Sequence, residues 1–143
     1  MKWKFLLLSF VATVLSLLHN QDLQAQNKEY KVVFDLTSAD STDHQSLIRW
    51  LSGISKGNPH AQMEVVLYGQ SLSMVTTGKS TVAEDVQTLA KDKNISFSVC
   101  EIALKKHKLT KSDLLPGVTT VPDGIAEIVQ KQGQGWGYIK AAR

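Results

Sequence analysis

Apolar and polar positions change period in a regular order along the chain, and each change predicts a new element. Residues 30–36 (YKVVFDL) form a β-branched and aromatic run that predicts a strand, and residues 37–43 follow as a cluster of loop and cap residues. Leu47, Trp50, Leu51 and Ile54 then fall at i, i+3, i+4 and i+7, the stripe of an amphipathic helix that stops at Gly57-Asn58-Pro59. Residues 63–68 (MEVVLY) predict a second strand closed by Gly69. Thr81 with Glu84 predicts a capping box, and Val82, Val86, Leu89 and Ala90 form the stripe of a second helix. Residues 95–99 predict a third strand that delivers Cys100 at its end. Residues 101–106 look helical, Thr110 with Asp113 marks a short helix start, and Pro116-Gly117 breaks it. A fourth strand is predicted over 118–121, a helix over 123–132 with Ile125, Ile128 and Val129 inward, and a last strand over 136–139.

Strands that alternate with helices specify right-handed βαβ units. The expected architecture is therefore a three-layer α/β/α sandwich around a mostly parallel five-stranded sheet. In such sheets ligands gather at the carboxyl ends of the strands. Here those ends make Thr37, Ser38, His44, Gly69, Gln70, Ser71 and Asp123 candidate ligand-pocket residues, together with Cys100.

The first 25 residues do not fit this pattern. Lys2 and Lys4 precede an apolar run over 5–18, broken only by Ser9, Thr13 and Ser16, and a polar end closes on Leu23-Gln24-Ala25. That is the form of a secretory signal peptide, and the apolar run is shorter than the roughly 20 residues a membrane-crossing helix needs. Residues 1–25 are read as the signal and 26–143 as a single domain, exported and periplasmic, with no stable membrane anchor. Without Lys2, Lys4 and Asp22 the 16 basic and 13 acidic residues become 14 and 12, a net charge of +2. The densest basic group left is Lys105, Lys106 and Lys108, with no aromatic residue among them, so no nucleic-acid partner is expected. The chain is 43% hydrophobic and has one cysteine, which excludes a disordered chain and an internal disulfide framework.

Few residues carry candidate chemistry. No His, Cys or carboxylate pair has the HExxH or CxxC spacing of a metal site, and no Gly-rich phosphate loop follows the first strand, so neither metal nor cofactor is expected. His44 is a base or ligand, or a solvated residue at a helix start; His60 and His107 read as surface residues. Asp35, Asp40 and Asp123 read as turn and cap residues. Trp136 and Tyr138 alternate along the last strand and are expected to pack on the core or on a neighbouring subunit. Cys100 is the candidate catalytic residue. It precedes an expected helix, whose amino end favours a thiolate, with Lys105, Lys106 and Lys108 adding positive field and Glu101 opposing it. A thiolate there can attack the outer sulfur of a persulfide or thiosulfonate and hold it as Cys-S-SH. A free cysteine that only packs is the plain alternative.

The order VVFDLTSAD, VVLYGQSL, CEIALKKHKL and LLPGVTTVPDGIAEIVQKQGQGWGYIK resembles the DsrE/DsrF-like proteins, in particular their small exported members. The resemblance implies a five-stranded α/β sandwich that assembles into homotrimers or hexamers. It also implies a sulfur-relay role, because relay members carry a persulfide on a cysteine at the end of the third strand and Cys100 falls at the matching position. Two functions follow as alternatives. One is a sulfur carrier with a sulfur donor and acceptor protein. The other is an oligomeric module that binds a small ligand or an envelope partner at the strand ends, with Cys100 only lining the pocket.

Overall fold

The computed structural model describes residues 29–141; the expected signal peptide lies outside the described residues. Among the described residues five strands, β1 (Lys31–Leu36), β2 (Gln62–Leu67), β3 (Ile95–Cys100), β4 (Thr119–Val121) and β5 (Gly137–Lys140), form one sheet in the order β4-β3-β2-β1-β5. Every neighbouring pair is parallel. Four α-helices connect them: α1 (Ser41–Gly57), α2 (Ala83–Leu89), α3 (Glu101–Lys106) and α4 (Gly124–Gly133). Short 3-10 turns occupy Ser71–Val75 and Lys111–Asp113. None of the described helices is long and apolar enough to cross a membrane.

The strand order decides which face each helix covers. From β1 to β4 the chain steps across the sheet in one direction, so right-handed crossovers put α1, α2 and α3 on one face. From β4 it returns across the whole sheet to β5, and the same handedness puts α4 on the other face. Burial agrees. Val32, Phe34 and Leu36, Met63, Val65 and Leu67, and Ile95, Phe97 and Val99 alternate toward the first face, where they share a core with Leu47 and Leu51 of α1, Val86 of α2 and Leu104 of α3. The second face holds only a small apolar cluster, Val33, Val66 and Ile128, with Tyr68 and Trp136 against it. The layers are three but unequal.

Several expectations at the element level change. Trp50 belongs to the expected stripe of α1 yet is 44% exposed, and Ile48 is buried in its place, because the inward face is rotated by part of a turn. The capping box at Thr81 and Glu84 does not form: α2 starts at Ala83 without a side-chain cap, and the Ser80 hydroxyl accepts from the Val82 amide instead. On α4 only Ile128 of the three expected inward residues is buried, while Ile125 and Val129 are 60% and 63% exposed. The box at Thr110 and Asp113 is present.

Candidate functional site

Cys100 ends β3, pairs with Val121 of β4 and is the N-cap residue of α3. It is a free thiol with 5% of its surface exposed. Two strands that part here define the site. The chain leaves β3 for α3 on the first face, whereas it leaves β4 for α4 on the second. Adjacent strands whose outgoing connections diverge open a crevice at their carboxyl ends, the ordinary ligand position in open α/β sheets. Cys100 stands at that switch point. The amino end of α4 closes over it: a Cβ at Gly124 would lie 3.2 Å from the Cys100 Cβ, 3.1 Å from Val66 Cγ1 and 3.6 Å from Tyr68 Cδ1. Asp123 caps α4 by accepting the Ile125 amide at 2.8 Å and the Ala126 amide at 3.3 Å. Lys105 and Lys106 lie exposed in the last turn of α3, at its opposite end from Cys100, so the expected positive field beside the sulfur is not built from them. Glu101, which would have opposed it, is turned to the Lys111 ammonium at 2.8 Å and the Thr120 hydroxyl at 2.9 Å, and these bonds hold its carboxyl below the ordinary value.

Strand register sets a polar row on β1 and β5, level with Ser98 of β3. Asp35 lies opposite Val66 on β2 and Lys140 on β5. Its buried carboxylate accepts the Tyr138 hydroxyl at 2.7 Å and the Lys140 ammonium at 2.9 Å, and Lys140 also donates to Thr37 Oγ1 at 2.9 Å. Tyr68, one residue past β2, is half-buried, and its phenol is pushed up to about 12 by burial first and by the Asp35 charge next. The Tyr138 phenol is also pushed up to about 12, here first by its bond to Asp35. Asp35 is thus the buried centre of a network, not the turn or cap residue expected. Further along the same face Glu64 is buried, takes the Ser98 hydroxyl on one oxygen and pairs with Lys131 of α4 at 2.6 Å on the other. The Lys131 ammonium also lies 4.4 Å from the centre of the Trp136 ring.

The remaining pocket candidates brace one another at the ends of β1 and β2. His44 is 2% exposed, not solvated, and its Nε2 donates to the Ser38 carbonyl at 2.9 Å; a carbonyl only accepts, so that nitrogen carries the proton. The Gln70 amide donates to the Thr37 carbonyl at 3.0 Å, and buried Ser71 Oγ stands 2.8 Å from both the Leu36 and Tyr68 carbonyls. Gly69, at φ +64°, brings β2 round beside Thr37, where a Cβ would stand 3.4 Å from two Thr37 atoms. His107 is also not a plain surface residue: its Nε2 donates to the Gly69 carbonyl at 2.6 Å. A cavity of about 220 Å³ opens between this corner and the end of α3, lined among others by Gln70, Ser73, Lys79 and His107.

Comparison with known proteins agrees with this fold. The DsrE/DsrF-like family model matches residues 31–141. The chain belongs to the DsrE/DsrF-like family. Among solved structures, a protein of unknown function from Methanobacterium thermoautotrophicum, MTH1491, is similar at 29% identity and a TM-score of 0.73, over 78% of this chain and 98% of that one. The ychN protein from E. coli shares the fold at 11% identity and a TM-score of 0.64, over 78% and 97% of the two chains. So does BT1422 from Bacteroides thetaiotaomicron, of unknown function, at 14% identity and 0.65, over 77% and 93%. A comparison with curated proteins finds no match.

In this DsrE/DsrF-like chain the structure brings Cys100, Gly124 and Tyr68 together and sets Asp35, Tyr138 and Lys140 next to them. It keeps His44 and Ser71 in the scaffold. Sequence reasoning passed over Tyr68, Lys140 and the Glu64–Lys131 pair, and it read Tyr138 as a packing residue, whereas its hydroxyl donates to Asp35. A signal was present: Asp35 and Glu64 are the carboxylates inside otherwise apolar strand runs, and such charges need partners that the fold must supply.

Proposed function

We propose that this protein carries sulfane sulfur as a persulfide on Cys100. The observation that carries the reading is the place of Cys100 at the carboxyl end of β3, at the point where α3 and α4 leave on opposite faces. It is also the position at which the family resemblance puts a persulfide. In the loading step the Cys100 thiolate attacks the outer sulfur of a donor such as thiosulfate. The new S–S bond forms as the old one breaks, and sulfite leaves with the electron pair. In the unloading step an acceptor thiolate attacks the outer sulfur of Cys100-S-SH, takes it as its own persulfide, and returns Cys100 as thiolate. Neither step needs an external oxidant or reductant.

The reading includes export, by the segment 1–25, to the periplasm, a homo-oligomer of three or six chains, and a sulfur donor and acceptor protein as partners. Incubation of the purified protein with thiosulfate or polysulfide is expected to add whole sulfur atoms to the intact mass, reversibly by reductant, and Cys100→Ser is expected to abolish the addition. A wild-type chain that takes up no sulfur removes the carrier reading. N-terminal sequencing of the protein from a periplasmic fraction is expected to begin at Gln26; a chain that keeps Met1 removes the export reading.

One observation favours the binding module as a second reading. The cavity beside Gln70 and His107 places an amide, a hydroxyl and the Lys79 ammonium around a space the size of a small organic acid. Saturable binding of such an acid by a protein that loads no sulfur would make it the better account.

A further inference from the structure

The cavity beside the ends of β1, β2 and α3 gathers polar groups that the fold leaves unused. The side chains of Gln70, Ser73 and Lys79 on its wall make no hydrogen bond or ion pair among the described residues. His107 uses one ring nitrogen only. Nε2 donates to the Gly69 carbonyl at 2.6 Å, so that nitrogen carries the proton and Nδ1 of the neutral ring is left as an acceptor. Four polar groups thus meet around one space of about 220 Å³, over an apolar floor of Leu72 and Leu109, the usual make-up of a small-molecule site. The wall is also fixed before any ligand arrives: the Gln70 backbone amide is bonded to the Thr37 carbonyl at 3.0 Å, and His107 to Gly69.

The field at this place is positive. α3 ends beside the cavity, with Lys105 and Lys106 exposed in its last turn, His107 as its C-cap and Lys108 next. The Leu109 amide closes the turn on the Leu104 carbonyl at 2.9 Å with Lys108 at φ +56°, a left-handed position where glycine is the usual residue. The sequence keeps a cation there instead. The acidic residues nearby are engaged. Glu101 is held by Lys111 and Thr120, and Asp40, next to the lining residue Ala39, accepts the Thr42 amide at 2.7 Å. Asp113 accepts the Thr110 amide at 2.7 Å and the Thr110 hydroxyl at 2.8 Å; these bonds first, and the charge of Lys79 last, hold its carboxyl below the ordinary value.

We infer that this cavity binds a small hydroxydicarboxylate, with Lys79, Ser73 and Gln70 donating to its carboxylates and its hydroxyl donating to Nδ1 of His107. A carboxylate only accepts, so it answers the three donors and cannot satisfy Nδ1, whereas a hydroxyl can. The carbon chain lies on Leu72 and Leu109. Lys105, Lys106 and Lys108, which Cys100 does not use, raise the local concentration of anions without touching the ligand. The inference deepens the second reading by naming the class of molecule the cavity takes. It stands whether or not Cys100 carries sulfur, because Cys100 and His107 cap opposite ends of α3.

The test is calorimetric titration of the native full-chain protein in mildly alkaline, low-salt buffer, with L-malate and succinate as probes. Malate is expected to bind saturably, and succinate, the same chain without the hydroxyl, at least about ten-fold more weakly because Nδ1 is left unpaired. Lys79→Gln, at an exposed position, is expected to weaken malate binding by at least about ten-fold with the far-ultraviolet circular dichroism unchanged. Lys105→Gln/Lys106→Gln/Lys108→Gln is expected to weaken it several-fold in low salt and to match wild type in high salt, where the field of exposed charges is screened. Lys91→Gln, at an exposed lysine outside the cavity, is expected to bind as wild type does. No binding at millimolar malate overturns the inference, as does succinate bound as tightly as malate, or a Lys91→Gln loss equal to that of Lys79→Gln. Sulfur uptake is read on the same samples: malate binding without uptake keeps this site and removes the carrier, and uptake without malate binding does the reverse.

Discussion

Gly124 and Cys100 meet so closely that a side chain at position 124 needs its neighbours to give by a few tenths of an ångström. A methyl group there would stand 3.1 Å from Val66 and 3.2 Å from Cys100, both buried strand residues with little freedom to move. Gly124→Ala is therefore expected to destabilise the chain by about 1–2 kcal/mol in a urea melt, although alanine is ordinarily the better helix former. A gain in stability would show that the site has space above the cysteine.

Asp35 governs the alkaline limb of stability. Tyr68 and Tyr138 keep their protons to about 12 in the folded chain, against 10.0 for an ordinary phenol. Over that window the folded state binds more protons than the unfolded one, so the stabilisation is complete below pH 10.0 and is lost as pH rises toward 12. The first cause at Tyr138 is its bond to Asp35, whereas at Tyr68 it is burial. Asp35→Asn is expected to lower the Tyr138 phenol more than the Tyr68 phenol in an ultraviolet titration of single-tyrosine variants, and to start alkaline unfolding at lower pH. Equal effects on the two phenols would contradict the order of causes.

His44 is a structural residue by its contacts. Its ring is buried and its one described bond goes to the Ser38 carbonyl, which His44→Ala would leave unpaired beside a cavity. The variant is expected to cost about 1–3 kcal/mol of stability while uptake of sulfur on Cys100 persists at temperatures where the fold is intact. Loss of sulfur uptake in a folded His44→Ala protein would return His44 to the site.

The fold was legible because hydrophobic period and loop residues agree along the chain: the runs at 30–36, 63–68 and 95–99 became β1, β2 and β3 nearly residue for residue. Cys100 was legible for the same reason, since a strand end in a parallel sheet is a predictable place. The parts that were not legible depend on pairing across the sheet. Nothing near Asp35 in sequence shows that Tyr138 and Lys140 will lie beside it, because β5 comes to β1 only after the chain crosses back from β4. The inward assignment of Ile125 and Val129 failed for a related reason. Periodicity shows that a helix has an apolar side, but the opposing sheet face, with Glu64 and Asp35 in it, offers α4 room for little more than Ile128.

Those two side chains also bear on assembly. A pair of apolar residues one turn apart and more than half exposed, on the one helix that covers its face among the described residues, is a natural contact for another copy of the chain in the proposed trimer or hexamer. Ile125→Glu/Val129→Glu is expected to lower the light-scattering mass at micromolar concentration from a multiple of the subunit toward a single chain, with the far-ultraviolet circular dichroism unchanged. A wild-type protein that scatters as one chain at all concentrations would remove the assembly, and the exposed pair would then be surface that α4 carries without a partner.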